Sequence, residues 1–536
     1  MSCMAGDLCA VFTETSESWR HHTGMQPTLP SVRHWCVCAL LLALPATVAL
    51  AQNNALPSLG DGVGMSIAAE RRLGDGIARD IYRDPDYLDD PVLGDYLQRL
   101  WQPLLAAARE RGDIPPELSE RLAWELVISR DKRVNAFALP GGYLGVHLGL
   151  LAVTENAQEL ASVLAHELSH VSQRHIARML TRQDKQTPWL MGAMILGVLA
   201  ARANADVANA AIASSQAVAI QSQLNFSRDM EREADRVGFG ILTSAGFEGR
   251  GFVTMFDKLQ QASRLNDDGA FPYLRSHPLT SDRVADMRSR LPLGNESASV
   301  QRHAMEPAPV RSTPPQALHE LMAARARVLA ETATERQRAW LALGQSPEAT
   351  APELYAAALS AHRLGLMPQA LTLAQRLRAS ATAATETTVE LLQLEILLAP
   401  KAQGLEVGLR EVLRDKALSG NTRAELLLGA QAALGTHTAP LAASRLQQSL
   451  ALHPKDALAW QTLSRLQMSL GQRLRALRSE AESHAAQFDF GGASDRFRAA
   501  QSLSIAERRA DAMELAIVDV RRREVEEKLR ESAREN

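Results

Sequence analysis

Cysteine is nearly missing from this 536-residue chain: there are four, Cys3, Cys9, Cys36 and Cys38, all crowded at one end. The rest of the chain has none, which excludes disulfides, thiol catalysis and cysteine-held metals there. An excess of either charge is also absent. Lys+Arg number 58 against Asp+Glu 61, a net charge of -3, so no basic field exists to hold nucleic acid. Mean hydropathy is -0.15, which argues against a protein with several membrane spans. What remains is globular: 46% hydrophobic and 22% charged residues exclude a disordered or collagen-like chain. The length exceeds what one ordinary core supports and predicts at least two domains.

The cysteines fall where the chain reads as a targeting segment. Arg33 and His34 lead into an apolar run from Trp35 to Leu44, and the stretch ends on Ala49-Leu50-Ala51. A positive flank, a short apolar core and an Ala-x-Ala end describe a secretory signal peptide over residues 1–51, cut after Ala51. A buried N-terminal helix is the competing reading, and it gives the small-residue end no purpose. Residues 1–24 fit no targeting pattern, so Met25 is an alternative start to Met1. Export without disulfides points to the periplasm.

Three textures follow. Residues 66–294 mix helical periodicity with one hairpin-like stretch. Residues 295–316 carry Pro307, Pro309, Pro314 and Pro315 among serines and read as a linker. Residues 317–515 are rich in Ala, Leu, Arg, Glu and Gln with helical periodicity. There Pro454, Trp460, Leu463, Gly471 and Ala476 fit the tetratricopeptide pattern, in which small residues let two helices approach closely. A generic helical bundle is the alternative. Residues 516–536 alternate in sign around Arg521-Arg522-Arg523-Glu524 and predict a solvated helix.

Residues 157–178 read as one helix, and within it stands His166-Glu167-Leu168-Ser169-His170. Spacing of four puts both histidines on one face, a turn apart, where they can reach a single ion. Glu167 projects beside them as a candidate general base. Val163, Leu164, Ala165, Leu168 and Val171 are too apolar for an exposed helix, so the histidines are buried and need partners. A catalytic metal needs a third ligand. The metzincin extension requires Gly at 173 and His at 176, and the chain has Gln173 and Ile176. His175 points off the ligand face and reads as solvent-facing or as a support behind the ligands. A later segment, Ser227 to Asp235, offers carboxylates: Glu231 and Asp235 share a face, while Glu233 points elsewhere. Glu231 would close the site and Asp235 would hold the second nitrogen of a ligand histidine. A surface helix laced with ion pairs is the bland reading of the same residues.

His166-Glu167-x-x-His170 followed by Ser227-Arg228-x-x-Glu231-x-x-Ala234-Asp235 resembles the BepA-type periplasmic zinc metalloproteases, which carry C-terminal tetratricopeptide repeats. The segment from Asn135 to Leu144 also looks like that family's strand-turn before the active-site helix. The resemblance implies a mainly α chain: an α+β, gluzincin-like zinc peptidase domain with a small sheet, then an α-solenoid of tetratricopeptide repeats. It implies one zinc ion (Zn2+) per chain, held by His166, His170 and Glu231, with Glu167 as general base. It further implies protein substrates, among them misassembled outer-membrane proteins, and the outer-membrane assembly machinery as a partner. A chaperone or assembly adaptor whose peptidase acts rarely is the rival reading.

Accessory features complete the expectations. Pro140-Gly141-Gly142 demands a tight turn, and Tyr143, Leu144 and Gly145 then read as a short strand. That strand is either an ordinary hairpin arm or an edge strand that pairs with substrate, and the resemblance favours the second. His277-Pro278 with Arg283 forms another polar cluster. The resemblance implies that His277 stabilises the oxyanion or occupies the open metal position at rest. Residues 189–220 begin with an apolar stretch too short to span a bilayer. They read as a buried helix pair or as a lid making peripheral contact with a membrane or an unfolded client.

Overall fold

The computed structural model describes residues 64–182, 227–264, 270–291 and 313–535. The signal peptide expected at 1–51, the 189–220 segment and most of the 295–316 linker lie outside the described residues. No described helix is long and apolar enough to cross a membrane.

The described residues are mainly helical with one small sheet, as the resemblance implies. Helix α1 (Ile67–Arg83) begins where the Ser66 side chain accepts from the Ala69 amide. Helix α2 (Pro91–Glu110) begins the same way at Asp90, and α3 (Pro116–Arg121) follows it. The sheet comprises β1 (Tyr87–Leu88), β2 (Glu125–Ser129), β3 (Ala136–Leu139) and β4 (Tyr143–His147), in the spatial order β1-β2-β4-β3. β4 runs parallel to β2 and antiparallel to β3, with Phe137 opposite Gly145.

This order corrects the expectation for Tyr143, Leu144 and Gly145. They stand on an inner strand with every residue buried, and the outer strands of the described sheet are β1 and β3. The physical reasons are local. A Cβ at Gly145 would lie 2.1 Å from Phe137 Cζ, so glycine is there to admit the cross-strand ring. Tyr143 turns to α1, where its hydroxyl donates to Asp75 Oδ1 at 2.7 Å. Leu144 is core.

After α4 (Leu148–Val153) comes α5 (Ala157–Ser172), capped by Asn156, which accepts from the Glu159 amide. Every residue of α5 except Gln158 is buried, so its polar side chains, His166, Glu167 and His170 among them, must find partners inside the protein. The single helix expected over 157–178 is two. The chain breaks at Gln173–Arg174, where Arg174 is left-handed at φ 52°, and restarts as α6 (His175–Arg182). Arg174 is held there by hydrogen bonds to Glu70 Oε2 at 2.9 Å and to the Met65 carbonyl at 2.6 Å.

Helix α7 (Arg228–Ser244), capped by Ser227, lies against α5. Gly238 sets the approach, since a Cβ on it would meet the Ala165 carbonyl at 3.1 Å. Helices α8 (Arg250–Arg264), α9 (Tyr273–Ser276) and α10 (Ser281–Ser289) complete this region. The C-terminal half is a run of consecutively packed helices from α11 (Gln316–Ala330) to α23 (Ala512–Glu535). One hydrophobic core runs without a break from Ile67 into these helices as far as Ala432. Two smaller cores lie beyond, around Leu446 and around Phe497.

Candidate metal centre

Two turns of α5 and the first two turns of α7 converge on one buried point. His166 Nε2 and His170 Nε2 are 3.0 Å apart, as their spacing of four on a helix dictates. Glu231 faces them across the helix pair, with its oxygens 3.6 Å from His166 Nε2 and 3.5 Å from His170 Nε2. His277, at the end of α9, supplies a fourth donor: its Nδ1 is 3.0 Å from Glu231 Oε1 and 3.4 Å from His166 Nε2. One ligand atom from each of the four fits within 4.8 Å, and all four side chains are buried.

Glu167 stands beside this set. Its Oε2 accepts from the Ala138 amide of β3 at 2.9 Å. Its Oε1 is buried without a hydrogen-bond partner, 3.4 Å from His277 Nε2. Behind His166, Asp235 Oδ1 lies 3.0 Å from Nδ1. Arg283 grips Asp235 with two hydrogen bonds, at 2.7 and 2.8 Å, and reaches Glu231 Oε2 at 2.7 Å. Tyr273 stacks on the His277 ring at 4.6 Å between centroids.

The electrostatics fit a bound cation. Burial alone would lower His166, but its hydrogen bonds to Asp235 and Glu231 outweigh burial and push it up to about 9. His170 is held well below the usual histidine range by burial and by His166 beside it. Glu231 resists burial, because His277 and His166 hold its carboxyl well below the usual range. Burial pushes the Glu167 carboxyl up. The two Nε2 atoms, 3.0 Å apart with the Glu231 carboxylate 3.5–3.6 Å from both, are placed so that one cation can satisfy all three groups. Imidazoles with one carboxylate are a donor set that suits a transition metal, so the residues present fit a metal ion.

The structure brings His166, Glu167, His170, Glu231, Asp235, His277 and Arg283 together, and it places Tyr143, Leu144 and Gly145 on the inner strand β4, behind the β3 strand that holds Glu167. Three contributors escaped the sequence reading. Ala138 holds Glu167, and only the sheet order reveals it. Tyr273 carries no local signal. Glu233, expected to point elsewhere, accepts from His175, and His175 in turn touches His170.

Residues 96–291 match peptidase family M48. The chain is 35% identical over 259 residues to the putative beta-barrel assembly-enhancing protease of Vibrio cholerae, covering 48% of this chain and 51% of that protein. It is 30% identical over 256 residues to the beta-barrel assembly-enhancing protease of Escherichia coli strain K12, covering 47% and 50%. It also matches the mitochondrial metalloendopeptidase OMA1 of Arabidopsis thaliana, 35% identical over 159 residues and 30% of each chain. The chain thus spans about half the length of the two assembly-enhancing proteases it matches. All four candidate metal ligands fall inside the stretch matched to the family. The chain is thus similar to peptidase family M48 over residues 96–291, and over about half its length it resembles the BepA-type metalloproteases.

Proposed function

We propose that this protein is a zinc-dependent endopeptidase that cleaves protein substrates in the periplasm, in the quality control of outer-membrane protein assembly. The convergence of His166, His170 and Glu231 beside the unpartnered Oε1 of Glu167 carries this reading. His166, His170 and Glu231 would hold the ion, and Asp235 would fix His166 through its Nδ1. When bound, zinc supplies Lewis acidity to the scissile carbonyl and to the attacking water.

The protein's own groups do the rest. Glu167, with its carboxyl raised by burial, accepts the water proton on Oε1 and returns it to the leaving amine. The Ala138 amide keeps Oε2 occupied, so the free oxygen is the one that faces the site. β3 is an outer strand of the described sheet next to Glu167, and an extended peptide would lie along that edge beside the Ala138 amide that Glu167 occupies. The names of the relatives support the assembly setting, and the signal-like segment supports export. The helices after the linker, which share their core with the metal-bearing region, would hold partner or client.

One observation favours the second reading, an assembly adaptor that cuts rarely. His277 is packed against both Glu231 and Glu167, and as a fourth donor it would compete with substrate for the proposed ion.

Metal content tests the first reading directly. The purified protein is expected to hold one equivalent of zinc, His166→Ala to hold none, and Glu167→Gln to keep zinc while losing about a hundredfold or more in peptide hydrolysis. A wild-type protein without zinc ends the reading. If Glu167→Gln still restores outer-membrane assembly in cells, the adaptor reading prevails.

A further inference from the structure

The two histidine ligands are supported differently. His166 meets a carboxylate at once, through Nδ1 and Asp235. His170 meets another imidazole: its Nδ1 is 2.9 Å from His175 Nδ1. The second nitrogen of His175, Nε2, lies 3.1 Å from Glu233 Oε2, and that oxygen also accepts from Arg178 Nη1 at 2.9 Å.

Resting on the metal-site reading above, we propose that His175 and Glu233 are positioning residues for the metal centre, which lock the tautomer and ring angle of His170 through an imidazole–imidazole hydrogen bond. The proton assignments follow from chemistry. His170 can offer a lone pair from Nε2 only if its hydrogen sits on Nδ1. That N–H then donates to His175 Nδ1, which must be bare. The remaining hydrogen of His175 therefore sits on Nε2 and donates to the Glu233 carboxylate. Each step has one consistent direction, ending on a charged acceptor.

The backbone is shaped to make this contact. On a continuous helix His175 would sit five residues past His170 and well off its face. The left-handed Arg174, tied to Glu70 and Met65, restarts the helix so that His175 swings back against His170. His175 is fully buried, so its two polar atoms are committed to this chain, while Glu233 and Arg178 are partly exposed. A clip that merely fastened α6 to α7 would need only Arg178 and Glu233 at the surface, not a buried imidazole aimed at a ligand.

The test is zinc affinity of the full-length protein, read by competition with a chromophoric chelator. His175→Ala is expected to weaken zinc binding about ten- to a hundredfold, and Glu233→Ala to weaken it in the same direction. His175→Gln, whose amide accepts and donates, is expected to recover most of the loss. Arg178→Ala, which removes the other partner of Glu233 Oε2 but leaves the His170–His175–Glu233 chain in place, is expected to weaken zinc binding less than Glu233→Ala does. Because Glu233 is partly exposed, its variant decides the matter even if His175→Ala fails to fold. Wild-type affinity in Glu233→Ala, and in His175→Ala where it folds, overturns the proposal and leaves the metal site standing. A wild-type protein that binds no zinc overturns the metal site, and this proposal with it.

Discussion

Arg283 shows how closely charge is balanced around the site. Its guanidinium is buried with Asp235 and Glu231, and these two carboxylates raise its pKa further in spite of the opposing effect of burial. Arg283→Leu strands two buried carboxylates and is expected to cost about 3–5 kcal/mol in the metal-free protein by denaturant unfolding. Arg283→Lys recovers only part, since one ammonium cannot reproduce the two-pronged grip on Asp235. His277 gives a second expectation at this scale. Its Nδ1 sits 3.0 Å from Glu231 Oε1 and its ring is stacked on Tyr273, as the proposal that His277 occupies the open metal position at rest would require. Peptide hydrolysis by His277→Ala is therefore expected to rise; a fall assigns His277 to the oxyanion instead, and an unchanged rate removes it from the mechanism. Most of these residues were legible in the chain, because spacing of four on a helix encodes a shared face for His166 with His170 and for Glu231 with Asp235. Tyr273 and Ala138 were not, because each reaches the site across a tertiary contact that no local period records.

Helices and strands explain the other departures. The apolar period of α5 continues through Ile176 and Ala177, so periodicity alone runs the helix past its end. The break at Arg174 depends on Glu70 and Met65, more than a hundred residues earlier. The edge strand was misplaced for a similar reason: a strand-like stretch does not state its neighbours, and β2 takes the side of β4 that the hairpin leaves open. The close passage of α7 over α5 is a matter of volume. Gly238→Val forces a branched side chain against the Ala165 backbone and is expected to cost about 1–3 kcal/mol, with weaker zinc binding because Glu231 and Asp235 ride on the same helix. Helix α11 adds a pH dependence. His319 is buried where Tyr96 meets its Nδ1 at 2.6 Å and the Thr154 carbonyl its Nε2 at 2.9 Å. Burial lowers its pKa, against the pull of the Thr154 carbonyl and of Glu159 and Glu320. A histidine with a depressed folded pKa takes up its proton first in the unfolded chain, so stability from this site is full above the ordinary histidine value of 6.5 and declines as pH falls below it. Replacing His319 with Gln is expected to flatten the slope of unfolding free energy against pH in that window.

At the scale of the molecule, the peptidase domain and the helices after it are tied by buried charge as well as by shared core. Arg325 on α11 is almost fully buried and grips Asp90 through both oxygens, with Nη1 reaching Tyr355 and Glu395. Asp90 is also the residue that caps α2, and α2 packs against both α5 and α7. Farther along, Arg423 pairs with Asp89 at 2.9 Å, and the next amide, that of Ala424, donates to Asp95 at 2.8 Å. Phe488, at the turn after Ala486, stacks on Tyr82 of α1 at 6.2 Å. The start of α2 is thus the anchor for the C-terminal half, and the same helix supports the two that carry the metal ligands. Wild-type protein is therefore expected to unfold from Ile67 to Ala432 as one unit in calorimetry, since the core is continuous over that span. Arg325→Met leaves Asp90 charged, buried and unpaired, at a cost of about 3–5 kcal/mol. Arg325→Met with Asp90→Asn removes that charge while the Asn oxygen still caps α2, so the double variant is expected to regain much of the loss. The position of the transitions separates a tie from a mere buried contact. If Arg325 couples the two halves, the single variant splits the thermogram into two transitions and the double variant stays split, because the link is gone in both. A single transition in both variants would mean that the shared apolar core alone holds the halves together.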